Sequence, residues 1–449
     1  MKKHVKLNLF AYGAGHHQAA WRAGDSAAED LNSLDYWINL AQIAERGLFD
    51  AIFLADGQAL SPDAVQAGPA WNFEPLTLLT ALSQHTRNLG LVCTISASFY
   101  QPYHAARMLA SLGRISNGRI GANIVTSMWD AEAANHSMEE LGEHALRYER
   151  AEEFLTVLTS LLDSYPASAV AAERDGNYAD TSQLAALNHR GRFFQVAGPL
   201  NVPVVDECRP VIFQAGSSTQ GRDLAAVWAD AIYAVAADQG MALEYAADVR
   251  SRVRAAGRSE QKVAIMPGLV VFVGRTYEEA KAKQRKLNDL LPLDDALAQL
   301  SGFVQQDAGA WDLDAPVPAL PPLEEFSGPK GRYATVLRLI EIHQPTVREL
   351  LGLLAAGGGH CTMVGTPEQI ADQIEAWVDS GAADGFNLMP PSLPDSLEDF
   401  VELVVPELQR RGRFRTAYEA DTLRGNLMPR PAGSSEGELN VQLNPANFS

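Results

Sequence analysis

Cysteine is scarce in this 449-residue chain: Cys93, Cys208 and Cys361 stand far apart and form no CxxC pair. That excludes a thiolate zinc knuckle and a disulfide framework, and it fits a reducing compartment, so the cytoplasm is the expected location. No apolar stretch is long enough to span a bilayer, and Val5-Lys-Leu-Asn-Leu-Phe10 is too short and too polar for a secretory leader. Basic charge is in deficit, with 36 Lys and Arg against 55 Asp and Glu and a formal net charge of −19. Such an excess repels phosphodiester backbones and anionic lipid, so neither a nucleic-acid nor a membrane partner is expected. Three catalytic signatures are missing as well: GxSxG, HExxH and a complete GxGxxG. Gly13-Ala14-Gly15 comes nearest to the last but lacks its third glycine, and the adjacent His16 and His17 cannot face one metal from a helix.

What the chain does have is a 47% hydrophobic composition arranged in alternating strand and helix patterns. Near-continuous apolar runs, as expected of strands buried on both faces, occupy Val5–Tyr12, Asp50–Asp56, Leu89–Ser96, Gly118–Ser127, Pro210–Gln214, Ala231–Val235, Val263–Val273 and Gly385–Met389. Each is followed by helical spacing. Eight β-then-α units predict an α/β fold, a (β/α)8 TIM barrel, over an open sheet. Two interruptions, about 163–206 and 288–360, fall after strands four and seven, the first holding an expected strand pair near Arg192–Val196. The second carries Pro316, Pro318, Pro321, Pro322 and Gly328 and reads as a lid. The expected organisation is one barrel over residues 1–425, with a C-terminal tail at 426–449 that is extended or disordered.

The chemistry concentrates where strands end. Pro210-Val-Ile-Phe-Gln-Ala-Gly-Ser-Ser-Thr-Gln-Gly-Arg-Asp223 takes a strand through small residues into a helix. Gly216 lets the backbone approach an anion, Ser217 and Ser218 offer hydroxyls, and the helix start adds free N–H groups, so a phosphate-bearing cofactor is expected. The glycine spacing resembles a nucleotide loop, but Arg222 and Asp223 replace its Lys and its magnesium-binding hydroxyl. A plain Ser-capped turn is the alternative. Asp56, Thr94, Ser96, Asn123, Thr126, Ser127, Gln214 and Asn387 sit at other strand ends and would ring the mouth with polar groups. His144 and Tyr148, four residues apart, share a helix face and can present two donors together, or are simply an exposed helix start.

With these residues in place the sequence resembles the bacterial luciferase-like flavin monooxygenases, in the branch of nitrilotriacetate, dibenzothiophene-sulfone and long-chain alkane monooxygenases. The resemblance covers about residues 5–425 and rests on Phe49-Asp-Ala-Ile-Phe-Leu-Ala-Asp56, Pro102-Tyr-His-Ala-Ala-Arg107, Gly118-Arg-Ile-Gly-Ala-Asn-Ile-Val-Thr-Ser127, Arg209-Pro-Val-Ile-Phe-Gln-Ala-Gly-Ser-Ser218, Asp384-Gly-Phe-Asn-Leu388 and Phe400-Val-Glu-Leu-Val-Val-Pro-Glu-Leu-Gln409. It implies FMN, bound as FMNH2, and O2 as co-substrate. Asp56, Thr94, His144, Tyr148, Ser217 and Ser218 match the family's flavin contacts, with Asn123 added from its place on the fourth strand. Two positions depart from the pattern: His144-Ala-Leu-Arg-Tyr148 lacks two acidic residues of the family's segment, and Met128-Trp129 are apolar where relatives carry polarity. With no nicotinamide fingerprint, a separate NAD(P)H:flavin reductase is the implied partner, and a homo-oligomer, dimer or tetramer, is expected. The alternatives are a deazaflavin-dependent oxidoreductase and a non-catalytic flavin-binding protein. Trp21, Trp71, Phe73, Phe99, Tyr100 and Trp129 are candidate pocket aromatics and lean toward an apolar sulfur- or nitrogen-containing substrate. No metal and no catalytic acid or base is singled out.

Overall fold

The computed structural model describes residues 3–70, 72–327 and 330–428. Eleven strands form: β1 (Lys6–Phe10), β2 (Ala51–Leu54), β3 (Gly90–Ser96), β4 (Ile120–Val125), β5 (His189–Arg190), β6 (Gln195–Val196), β7 (Val211–Gln214), β8 (Ala231–Ala234), β9 (Ala264–Val273), β10 (Cys361–Gly365) and β11 (Gly385–Leu388). Every expected barrel run becomes a strand, and all pairings among them are parallel, in the order β9-β11-β1-β2-β3-β4-β7-β8. Pairing of Ala231–Ala234 on β8 with Ala264–Pro267 on β9 closes the ring. The fold is thus a TIM barrel. Strands β2, β3 and β7 are buried along their whole length, as strands covered by helices outside and packed side chains inside must be.

One strand was not foreseen. β10 pairs with Leu269–Val273, the upper half of β9, and lies outside the barrel ring. Its burial alternates along Cys361-Thr-Met-Val-Gly365, so it lacks the continuous apolar run that marks the other strands. The hairpin of β5 and β6 forms in the first interruption, where the Arg192–Val196 pair was expected.

The floor of the barrel corrects the boundary placed at residue 425. The short helix Leu423–Leu427 runs through that point and enters the N-terminal end of the barrel, where Leu423 and Leu427 join Ala51, Val92, Val211 and Ala264 in one buried cluster. A Cβ on Gly90 would lie 2.5 Å from Leu423, and one on Gly121 3.1 Å from it, so glycines in β3 and β4 make room for this plug. Arg415 pairs with the buried Asp50, Arg424 with Asp230 at 2.7 Å, and Val5 N–H donates to Arg413 O at 2.8 Å. Five residues give too little periodicity to announce themselves as a helix. The rest of the expected tail, 429–449, lies outside the described residues.

The second interruption packs as three helices, Leu293–Val304, Lys330–His343 and Val347–Gly357, around an apolar cluster that includes Leu300, Phe326, Tyr333, Val336 and Leu350. Phe326 and Tyr333 stack at 3.7 Å, and Tyr333 Oη donates to Pro321 O at 2.6 Å, so the Pro-rich stretch is tied to this cap. Arg338 fastens it to the barrel through Asp238, just beyond β8, at 2.6 Å.

Candidate functional site

The turn after β7 is held from three sides. Gly216 N–H donates to Gln214 Oε1 at 2.5 Å, Tyr245 Oη to Gly216 O at 3.0 Å, and Arg222 Nε to Ser217 O at 3.0 Å. A Cβ on Gly216 would sit 2.6 Å from Gly221 Cα, so the tight turn requires both glycines. Among the described residues the amides of Ser217, Ser218, Thr219 and Gln220 have no acceptor. They open the helix Thr219–Trp228 and point its positive end outward. Ser218 caps that helix, its Oγ accepting from Gly221 N–H at 3.1 Å, which leaves its own proton to donate. Cap and cradle are therefore one turn.

Tyr148 reaches the same place: its Oη lies 3.0 Å from where a Cβ on Gly221 would be. The exposed His144 packs its ring 4.8 Å from that of Tyr148, at the start of the helix His144–Asp163. Ser217, Ser218, His144 and Tyr148 thus converge on one edge of the mouth.

Neighbouring strands carry the other expected residues. Thr94 Oγ1 donates to Leu54 O at 2.9 Å and accepts from Asn123 Nδ2 at 3.0 Å, while the buried Asn123 Oδ1 has no partner. An orphaned buried acceptor is costly unless a ligand donor meets it. Asn123 is in register with Phe213 on β7, which places the pair one strand from the cradle. Asp56, two residues past β2, accepts from Gln58 Nε2 at 3.1 Å and lines a cleft with Gln58, Phe73, Glu74 and Tyr100. Burial pushes its carboxyl above the usual carboxylate range, and the charges of Glu74 and Glu132 add to that. The set fits a phosphorylated, hydrogen-bonding ring cofactor: free amides for the phosphate, an open acceptor and a carboxyl for ring N–H groups.

Other expected residues are committed elsewhere. Asn387 bonds Asn8 at 3.0 Å and Met266 O at 2.7 Å inside the barrel. Phe99 stacks on His136 at 4.3 Å, Trp21 donates to Ala67 O, and Trp129 is 66% exposed. Trp71 lies outside the described residues. Gly15, at φ +131°, lies so close to Pro391 that a Cβ would be 2.4 Å from its carbonyl oxygen, so the Gly13-x-Gly15 turn serves chain packing. His16 and His17 diverge, to Phe10 O at 2.9 Å and Asn288 Oδ1 at 3.1 Å. No group of three metal-ligating side chains occurs among the described residues.

Reading strand ends undervalued two features. Ser127 is buried at φ +57°, a strained backbone for a non-glycine, and shares a 2.9 Å hydrogen bond with Ser96. Opposite the cradle, Phe10, His16, Tyr233 and His360 form an aromatic wall, with Phe10 4.7 Å from His16 and 5.4 Å from Tyr233. The position of His16 just past β1 was its one available signal.

These features define a TIM barrel with a phosphate-cofactor site at its C-terminal mouth. The chain belongs to the luciferase-like monooxygenase family, whose signature matches residues 10–384. It is 42% identical to N-acetyl-S-(2-succino)cysteine monooxygenase of Bacillus subtilis strain 168 over 94% of this chain and 96% of that one. It is 40% identical to nitrilotriacetate monooxygenase component A of Aminobacter aminovorans, over 96% and 98%. The solved EDTA monooxygenase of Chelativorans sp. superposes with a TM-score of 0.81 at 34% identity, covering 95% of this chain and 98% of that one. The protein is accordingly an enzyme, a monooxygenase.

Proposed function

We propose that this chain is the oxygenase component of a two-component system, receiving FMNH2 from a separate NAD(P)H:flavin reductase and using O2 to oxygenate a small organic substrate. The observation that carries this reading is the anion cradle at Ser217–Gln220 set one strand from the orphaned acceptor of Asn123. When bound, reduced flavin supplies the activation of O2. Ser217, Ser218 and Tyr148 would hold its phosphate with His144 beside them. Asp56, Thr94 and Asn123 would orient its ring. The cap over residues 293–357 would serve as a lid that excludes water while oxygen is transferred. A cytoplasmic homo-oligomer is the form proposed, since the charge suits solution and relatives are named as components or subunits.

Anaerobic titration tests the site directly. Ser217→Ala and Tyr148→Phe should each weaken FMNH2 binding, by about 1.5–3 kcal/mol if the lost bond is to charged phosphate. Ser217 is the cleaner position, because Ser218→Ala also removes a helix cap and about 1 kcal/mol of stability. Unchanged flavin affinity in both variants would sink the site. For the reaction, NADH consumption and product should be followed with and without an unrelated flavin reductase. We expect no NADH oxidation by this chain alone, and rapid oxidation by it would count against a two-component system.

A further inference from the structure

The half of the mouth away from the cradle carries a cation that no carboxylate meets. Tyr233 on β8 stacks on His360 at 5.3 Å, with its Oη 3.0 Å from Nε2 and 3.3 Å from Met389 Sδ. His360 lies where a Cβ on Gly268 would be, 2.4 Å from Nδ1, so a glycine in β9 admits the ring. Its buried Nδ1 has no partner. Over this pair stands Arg332, at the start of the helix Lys330–His343. One guanidinium nitrogen donates to Gly358 O at 2.9 Å, and the group lies 5.8 Å from the ring of Phe303. Among the described residues no acid pairs with Arg332, although Arg338 on the same helix holds both Asp238 and Glu341. Burial, followed by the charges of His16 and Arg332, pushes His360 down to about 3. The positive field of Arg332 therefore reaches the mouth while the imidazole beside it stays neutral.

We infer that Arg332, His360 and Tyr233 form a carboxylate-binding site, and that the substrate is a small organic acid held there by its charged end. A guanidinium with spare donors beside a hydrogen-bonding imidazole and phenol suits one carboxylate. The opposite side of the mouth enforces the direction of entry, because Asp56 and Glu74 line the cleft there and would repel an anion. With its acid at Arg332, the substrate presents its reacting atom toward Phe10 and Phe53, whose rings are 5.3 Å apart. This deepens the monooxygenase reading and rests on it for the oxygen transfer, whereas acid binding is measurable by itself.

Calorimetry on the FMNH2-loaded protein under nitrogen tests the inference with four probes: thiodiacetate, iminodiacetate and the dimethyl ester of each. At least one acid should bind about tenfold or more tightly than its ester, the margin of one charge-assisted contact. Arg332→Met should abolish that preference, and Arg332→Lys should keep part of it, both with wild-type FMNH2 affinity. Equal binding of acid and ester, binding by neither acid, or an acid preference that survives in Arg332→Met overturns the site. Absent FMNH2 binding in the wild type would instead defeat the flavin reading, and the two failures are thereby distinguishable.

Discussion

Asp56 and His17 are both driven toward their neutral forms by burial, with opposite consequences for pH. The Asp56 carboxyl titrates above its ordinary range, so at neutral pH its ionised form is held less favourably in the fold than in the unfolded chain. Asp56→Asn should therefore raise the melting temperature of the cofactor-free protein at pH 7 and weaken FMNH2 binding. The stability gain should vanish as pH falls through the carboxylate range, where the wild-type group is protonated, and paired melts at pH 7 and pH 4 would show it. His17 is 1% exposed, accepts from Ala19 N–H through Nδ1, and is lowered by burial to about 4. Its folded value lies below the unfolded one, so its contribution is complete above about pH 6.5 and is lost as pH falls toward 4. Urea melts should show wild type losing, by pH 5, up to about 2 kcal/mol that His17→Gln does not lose, at roughly 1.4 kcal/mol per pH unit. Thr94, Asn123 and Ser218 were legible because a residue at a strand's end must face the mouth. Tyr233 and His360 were not, since their meeting depends on a stacking between β8 and the turn before β10 that no local spacing encodes.

At the scale of elements, the eight barrel strands could be read because burial on both faces leaves a long apolar signature. β10 and the plug helix could not: one is apolar on alternate residues only, and the other is a single turn whose partners are hundreds of residues away. Their weight in the fold is not proportional to their length. Leu423 is fully buried against β3 and β4, so Leu423→Ala should cost about 2–5 kcal/mol, measured by chemical denaturation. The same change made at exposed Leu60, which is 66% accessible, should cost almost nothing. Equal costs at the two sites would deny the plug its role.

For the whole molecule, cap and barrel have separate apolar clusters joined by a few polar links, of which Arg338 with Asp238 is one. Arg338→Met should speed amide exchange in Lys330–His343 and Val347–Gly357 while β1–β4 keep their protection. Uniform loosening of cap and barrel would mean that they open as one body. The floor of the barrel bears on how the protein is made. β1, the first strand synthesised, finds one of its two neighbours in β11, and the helix that fills the base of the ring comes later still, at Leu423–Leu427. A ribosome must therefore deliver nearly the whole chain before the first strand is paired on both sides. A nascent chain stalled short of the plug would expose β3 and β4 glycines and an unfilled apolar floor to chaperones and proteases, so quality control can distinguish a finished enzyme from an unfinished one by its base, well away from its chemistry.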